Sequence, residues 1–425
     1  MNYFEFLNQK GMNVEDGRKL IRDFMQHLPK ASMGMEPYPL SLRSINWIRF
    51  LSCNSINDVD IDAVLYAQLK LLIHKLEYHL LGNHLLENGF ALLFGAYYFN
   101  DHAFYKKAKT ILRPELQEQV LGDGGHFERS PMYHCIMLYR VLDCYNLVHN
   151  SALFGNELED ILKEKAEAML GWLEEVVYSD GRIPLLNDAA VGVAPVAKDL
   201  IEYAQRLGIF CDKKVRLKES GYRKIRWEKF ELFIDVGEVG PDYQPGHAHA
   251  DTFSFELYIN GRPVIVDTGT STYVVNNTRF YERSTAAHNT VVVCGQNSSQ
   301  VWAAHRVARR ARVQVFCDEE ERIVAVHDGY KRLGCLHTRK VEKVGKYIRI
   351  TDEVDREGTA YLHFMPKENV VLDGNRLLGS DYCIEFDGAR EIEPFTSMYA
   401  PEFNKREERR SFRISFDRRL ETIIQ

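Results

Sequence analysis

The chain has 425 residues, 45% of them hydrophobic and 27% charged, with a formal net charge of −6. That length exceeds one ordinary core and calls for two domains, while the acidic balance argues against a general nucleic-acid binder without excluding a local groove for an anion. No apolar run is long enough to span a membrane, the start MNYFEFLNQKGMNVEDG lacks a signal-peptide pattern, and the eight scattered cysteines read as reduced thiols rather than a disulfide framework.

Apolar residues recur at three- and four-residue steps through the first half, which predicts helices over 16–28, 42–53, 60–81, 83–99, 101–121, 130–149 and 156–177. After Cys211-Asp212 the pattern changes to short alternating runs with Gly, Asn and Asp turns. Strands are expected within 227–237, 251–269, 288–294, 312–317, 321–330, 347–355, 359–365 and 381–386. Asn260-Gly261 between two such runs is a hairpin signal, because both residues tolerate the positive φ of a tight turn. The expected architecture is therefore an α+β chain of two domains, helical over 1–212 and an antiparallel β-sandwich over 213–425.

Two polar constellations interrupt the helical half. In Gly82-Asn83-His84-Leu85-Leu86-Glu87-Asn88-Gly89, the spacing puts Asn83, His84, Glu87 and Asn88 near one helix face. In Gly125-His126-Phe127-Glu128-Arg129-Ser130-Pro131-Met132-Tyr133-His134, Ser130 and Pro131 read as a helix cap and first position. Tyr133 then falls in the first turn, where the helix dipole would favour a phenolate. The plainer readings are a capping and ion-pair cluster for the first group and a half-buried core aromatic for Tyr133.

A third constellation lies among the strands: Gly246-His247-Ala248-His249-Ala250-Asp251, then Asp267, then His288-Asn289. Imidazoles and carboxylates in apolar strand sequence are costly to bury unless a metal or a catalytic site uses them; satisfied strand histidines are the alternative. His247, His249 and Asp251 would share one side of a regular strand. Arg306, Arg309, Arg310 and Arg312 could grip carboxylates or sulfates bidentately, or simply form a charged edge.

Together these motifs resemble the heparinase II/III-like polysaccharide lyases. The resemblance runs from Tyr38-Pro39-Leu40-Ser41-Leu42-Arg43 through both helical constellations, Asp180-Gly181-Arg182-Ile183-Pro184 and Asn187-Asp188, to Gly246–Asp251, Asp267-Thr268-Gly269-Thr270 and Arg283–Thr290. It implies an incomplete (α/α) toroid followed by an antiparallel β-sandwich, with the substrate cleft between them. Members carry further sequence before the region matching Asn2–Leu7, so a shortened toroid is expected. The implied reaction is β-elimination on an acidic polysaccharide, heparan sulfate-like or bacterial capsular.

By resemblance, Asn83, His84 and Glu87 neutralise the uronate carboxylate, with Asn88 a second candidate. Tyr133 serves as general acid to the leaving oxygen and His247 as base, while Arg129, His134 and Arg306 are further substrate-binding candidates. His249, Asp267 and His288 match metal ligands, a set that suits structural zinc, with Asn289 as a supporting hydrogen-bond partner. The local spacing alone would equally admit His247 to the metal. The family setting is periplasmic, at odds with the start of this chain. A non-catalytic glycan-binding or polysaccharide-assembly protein and a metal-dependent hydrolase are the alternative classes.

Overall fold

The computed structural model describes residues 2–28 and 33–425. These form two compact units, one of Met1–Val120 with Tyr139–Glu167 and the other of Leu121–Leu138 with Ala168–Gln425.

The first unit is helical. Its helices are α1 (Val14–His27), α2 (Pro37–Cys53), α3 (Val59–Ile73), α4 (Gly82–Phe99) and α5 (His102–Gln119), followed by parts of α6 (Pro131–His149) and α7 (Glu159–Val176). Short polar side chains set the starts. The Asn13 oxygen accepts from Glu15 N at 2.8 Å and Asp101 accepts from Ala103 N and Phe104 N at 2.8 and 3.0 Å. Asp58 accepts from Ile61 N and also takes ion pairs from Arg18 and Arg22. Such caps satisfy backbone donors that a helix leaves unpaired and stabilise it by about 1 kcal/mol each.

Helix α4 lies at the centre, packed on α2, α3 and α5. Two glycines allow that closeness: a Cβ on Gly89 would stand 2.9 Å from Leu112, and one on Gly95 would stand 2.5 Å from Leu69. Leu65, Leu69, Phe90, Leu92, Leu93 and Leu112 are fully buried between these helices, each contributing about 1.5–3 kcal/mol. The helix expected over 60–81 stops at Ile73. A long-range contact overrides the periodicity there: Glu77 donates its N–H to Asn88 Oδ1 at 2.9 Å and accepts from Asn88 Nδ2 at 3.0 Å. The chain then turns through Leu81 and Gly82, both at positive φ.

The second unit adds α8 (Ala197–Arg206), which the sequence reading passed over, and α9 (Asn277–Glu282). Its small sheet runs β1 (Tyr222–Trp227), β2 (Phe230–Asp235), β3 (Phe255–Ile259) and β4 (Arg262–Ile265) in sequential antiparallel order. Asn260 and Gly261 turn between β3 and β4 at φ 51° and 73°, as their pairing in sequence predicts. Next come β5 (Val291–Val293), the separate β6–β7 ribbon (Gln300–Trp302, Arg306–Ala308), β8 (Val313–Glu319), β9 (Arg322–His327), β10 (His337–Val344), β11 (Tyr347–Val354) and β12 (Gly358–His363). The chain ends in β13 (Val371–Asp373), β14 (Arg376–Leu378), β15 (Cys383–Glu402) and β16 (Lys405–Ile424).

The large sheet has the order β13-β14-β15-β16-β11-β10-β9-β8, with β12 on β16 and β5 on β12. Leu232, Ile234 and Leu257 of the small sheet share one buried cluster with Ile350, Phe412 and Ile414 of the large one. That shared core makes an antiparallel sandwich, so helices followed by a β-sandwich is the order the chain adopts. No described helix is long and apolar enough to cross a membrane.

Candidate active site

The second unit gathers Tyr133, His247 and a set of residues the sequence reading had given no role. Ser130 starts α6 as expected: its Oγ accepts from Tyr133 N at 3.2 Å and donates to the Asp188 carbonyl at 2.6 Å. Gly124, just upstream, has φ +86°, and a Cβ there would lie 2.0 Å from the Ala168 carbonyl oxygen. Only glycine admits that approach.

Tyr133 sits in the first turn, yet it is not a stabilised phenolate. Burial, reinforced by Tyr273, Asp188 and Glu128, pushes its pKa well above 10.0. Desolvation of a charged ring oxygen outweighs the half-charge of a helix end. Tyr133 is therefore a neutral proton donor, its hydroxyl 3.3 Å from that of Tyr273. The imidazole of His247 lies against its ring, centroids 3.9 Å apart at 32°.

Asp188 organises the histidine side. Its Oδ2 accepts from His247 Nδ1 at 3.0 Å and its Oδ1 from His249 Nε2 at 2.9 Å. Arg279 donates to both oxygens, through Nη2 at 2.8 Å and through Nη1. Burial opposes the charge of Asp188, but Arg279 and the two histidines hold its carboxyl well below the usual range. Beyond His247, Glu128 Oε2 stands 3.7 Å from Nε2. Asp188, Arg279, Tyr273, Glu128 and His305 escaped the sequence reading of roles. Asn187-Asp188 stood in the family motif, whereas Tyr273 lies in a loop and Arg279 in the short helix α9, neither with a recognisable pattern.

Two groups of donors bear on a metal. Asp188, His247 and His305 bring ligand atoms within 4.8 Å of one another, so this Asp/His/His cluster could hold an ion. A cation there would meet the Arg279 guanidinium already on both Asp188 oxygens. Of the set expected from the sequence, the rings of His249 and His288 lie 5.3 Å apart, and Asp267 Oδ2 is hydrogen-bonded to His288 Nδ1 at 2.8 Å. His249 Nδ1, His288 Nε2 and Asp251 Oδ2 are buried atoms with no hydrogen-bond partner. Burial pushes His249 down to about 3, which keeps its imidazole neutral as a ligand must be. Around His288, burial is outweighed by Asp267 and Asp251, which raise its pKa and favour the protonated imidazole while no metal is bound. Apart from the Asp188, His247 and His305 group, the unpartnered nitrogens of His249 and His288 are the donors a metal could use. Asn289 does not support either imidazole: its amide donates to the Phe255 and Val266 carbonyls and accepts from His363 N.

Several expected substrate contacts turn inward. His134 is fully buried, with Nε2 on the Met169 carbonyl at 3.0 Å and Nδ1 accepting from His126 N at 3.3 Å. Burial first, then His126, lowers it to about 3, so it is a neutral structural residue with both nitrogens spent. Arg129, at φ 58°, donates to the Glu238 carbonyl, and its own carbonyl accepts from Asn187 and Tyr222. Arg310 ties down the carbonyls of Val239, Pro241 and Asp242, and Arg312 pairs with Glu238 and Asp242. Arg306 and Arg309 are exposed.

In the first unit, Glu87 is wholly buried and both of its oxygens accept from Arg140 Nε, at 3.0 and 3.1 Å. Asn88 is also buried and spends its amide on Ser41, Glu77 and the Glu77 backbone. Asn83 is buried as well. His84 is 37% exposed at its side chain, bonded to Glu77 Oε1 at 3.1 Å and ringed by Tyr38 at 4.6 Å. Of this constellation, His84 is the member that presents itself to solvent.

The chain belongs to the heparinase II/III-like family. Residues 213–425 match the family described as heparinase II/III-like, C-terminal, and residues 39–216 match the heparinase II/III N-terminus. A heparin-sulfate lyase of Bacteroides stercoris is 25% identical over 336 residues, covering 70% of this chain and 48% of that protein. A heparin-sulfate lyase of Pedobacter heparinus is 26% identical over 291 residues, covering 61% and 42%. The chain thus spans less than half the length of these relatives. A crystal structure of heparinase III superposes with a TM-score of 0.77 at 19% identity, covering 97% of this chain and 74% of that one. That likeness establishes the fold, an incomplete (α/α) toroid followed by an antiparallel β-sandwich.

Proposed function

We propose that this protein is a polysaccharide lyase that cleaves a uronic-acid-containing acidic polysaccharide by β-elimination. The observation that carries the reading is the pairing of Tyr133 with His247, whose Nδ1 is bonded to Asp188. Family membership and relatives named heparin-sulfate lyases support it and favour a heparan sulfate-like polymer; a bacterial capsular polymer remains within the same chemistry.

Elimination needs one proton removed from C5 of the uronate and one delivered to the departing O4. His247, with Nδ1–H donated to Asp188, keeps a lone pair on Nε2 and serves as base. Tyr133, neutral because it is buried, protonates the leaving oxygen. By family resemblance, Asn83 and His84 on α4 are the donors proposed for the uronate carboxylate, which must be neutralised before C5 becomes acidic; Glu87 is engaged by Arg140. His249 and His288, with Asp267, would hold a metal, zinc by donor chemistry, which when bound would brace these loops. The periplasm is the proposed location by family.

The decisive assay is far-ultraviolet absorbance of the unsaturated uronate product, with heparan sulfate, alginate, hyaluronan and bacterial capsule as substrates. The reading expects a rise with wild type that Tyr133→Phe abolishes. A folded wild type that binds one of these polymers but yields no product would replace the lyase with a glycan-binding protein.

A further inference from the structure

We propose that Asp188 is a positioning residue that fixes the tautomers of two histidines at once, in opposite senses: the base His247 and the metal ligand His249. The consequence for turnover rests on the lyase reading; the tautomers themselves do not.

Asp188 is fully buried and is held as an acceptor by Arg279, which bonds both of its oxygens. Arg279 is in turn anchored by the Ala304 carbonyl, through Nε at 3.0 Å and Nη2 at 2.8 Å, and lies over the Tyr273 ring. Each carboxylate oxygen faces one imidazole. Oδ2 meets Nδ1 of His247, and Oδ1 meets Nε2 of His249. A carboxylate only accepts, and a neutral imidazole has a single N–H to give. His247 then carries a proton on Nδ1 and, as the neutral base, keeps its lone pair on Nε2, the atom 3.7 Å from Glu128 Oε2. His249 must be the Nε2–H form with a lone pair on Nδ1, the buried atom without a partner. Two residues apart in the chain, these histidines are set to opposite tautomers by the two ends of one carboxylate. Thr270 Oγ1, at 3.3 Å from Oδ1, adds a third donor.

An asparagine at 188 has one acceptor and one donor end, so it cannot keep both tautomers. The experiment is nitrogen-15 NMR of the imidazoles in the full chain, with signals assigned by His247→Gln and His249→Gln. In wild type, His247 should show a protonated Nδ1 and bare Nε2, and His249 the reverse. Asp188→Asn should reverse at least one of them. Added zinc ion should move the His249 and His288 signals and leave His247 in place. In turnover, Asp188→Asn should lower kcat about 100- to 10,000-fold with KM little changed, since no substrate contact is removed.

Wild-type histidines of the same tautomer, or a doubly protonated His247, would overturn the proposal, and both can be read even if Asp188→Asn fails to fold. So would zinc shifts on His247 and His305 in place of His249. Absence of product on every polymer, with opposite tautomers intact, would instead sink the lyase reading alone.

Discussion

Tyr133 and His247 lie ring to ring, 3.9 Å between centroids, while their polar atoms bond elsewhere: the phenol hydroxyl to Tyr273 and the imidazole to Asp188. Neither residue spends its reactive atom on the other. Two groups so disposed can serve the two proton transfers of an elimination from one patch of surface.

The first prediction follows from that arrangement. Tyr133→Phe keeps the ring that packs on His247 and removes only the hydroxyl. It should reduce kcat by about 100- to 10,000-fold, the usual worth of a positioned acid. Its stability cost should be small, about 0.5–1.5 kcal/mol for one lost neutral hydrogen bond. Thermal unfolding beside initial rates separates the two effects. A variant with wild-type turnover would remove the tyrosine from the chemistry.

Glu87 gives a contrasting prediction. It is buried against Arg140, with both oxygens engaged. Glu87→Gln removes the hydrogen-bonded one of the two carboxylates that balance that guanidinium, Asp143 being the other, and breaking a buried pair costs about 3–5 kcal/mol. Loss of stability should dominate, with the KM for a uronate polymer nearly unchanged in whatever protein folds. His84→Ala should do the opposite, since His84 is exposed at its side chain: raised KM, preserved melting temperature. If Glu87→Gln were fully stable but had a raised KM, the glutamate would be a substrate contact after all.

What the sequence made legible were features with local causes. The helices α1, α2, α4, α5 and α6 declare themselves by apolar spacing and by caps such as Asn13, Asp101 and Ser130, and Asn260-Gly261 declares its turn. The end of α3 at Ile73 was hidden because Glu77 is drawn to Asn88, eleven residues on. The hairpin β15–β16 was largely missed because its strands are rich in charge and broken by register shifts between Asp387 and Glu391. At the site, His247 and His249 were visible as an unusual pair in strand sequence. Asp188 was not given a role because its partners, His247, His249, Thr270 and Arg279, come from separate segments. Spacing puts Tyr133 in the first turn, where it lies, but the helix dipole alone suggests a phenolate, and burial by residues distant in sequence reverses that tendency.

Buried tyrosines predict an alkaline limit to stability. Burial pushes Tyr133, Tyr178 and Tyr222 well above 10.0. A group whose folded pKa is raised contributes stability that is complete below its unfolded pKa and is lost as pH climbs toward the folded value. The melting temperature should therefore hold to roughly pH 9 and fall steadily past about pH 10, where free tyrosine ionises. Tyrosinate absorbance recorded on the same samples should lag behind that of the unfolded chain. Normal tyrosine titration in folded protein at that pH would contradict the assigned burial.

Metal binding yields the last prediction. Two unpartnered imidazole nitrogens, His249 Nδ1 and His288 Nε2, lie in a buried region with the carboxylates of Asp251 and Asp267. A cation received there would replace missing hydrogen bonds and offset negative charge, and it would bind the folded chain alone. Such a ligand raises stability by mass action, about 2.7 kcal/mol at a free concentration one hundred times its Kd. Zinc should therefore raise the melting temperature in a concentration-dependent way, and a chelator should reverse it. Ligand nitrogens must be free of protons, and His288, whose pKa Asp267 and Asp251 raise, is the one protons contest first, so the effect should weaken as pH falls through that raised value. His288→Ala should abolish the shift, whereas His305→Ala, which alters the other Asp/His/His cluster, should leave it whole. The reverse pattern would move the metal to Asp188, His247 and His305, beside Arg279. Elemental analysis of metal per chain in the two variants decides between the sites without any need for turnover.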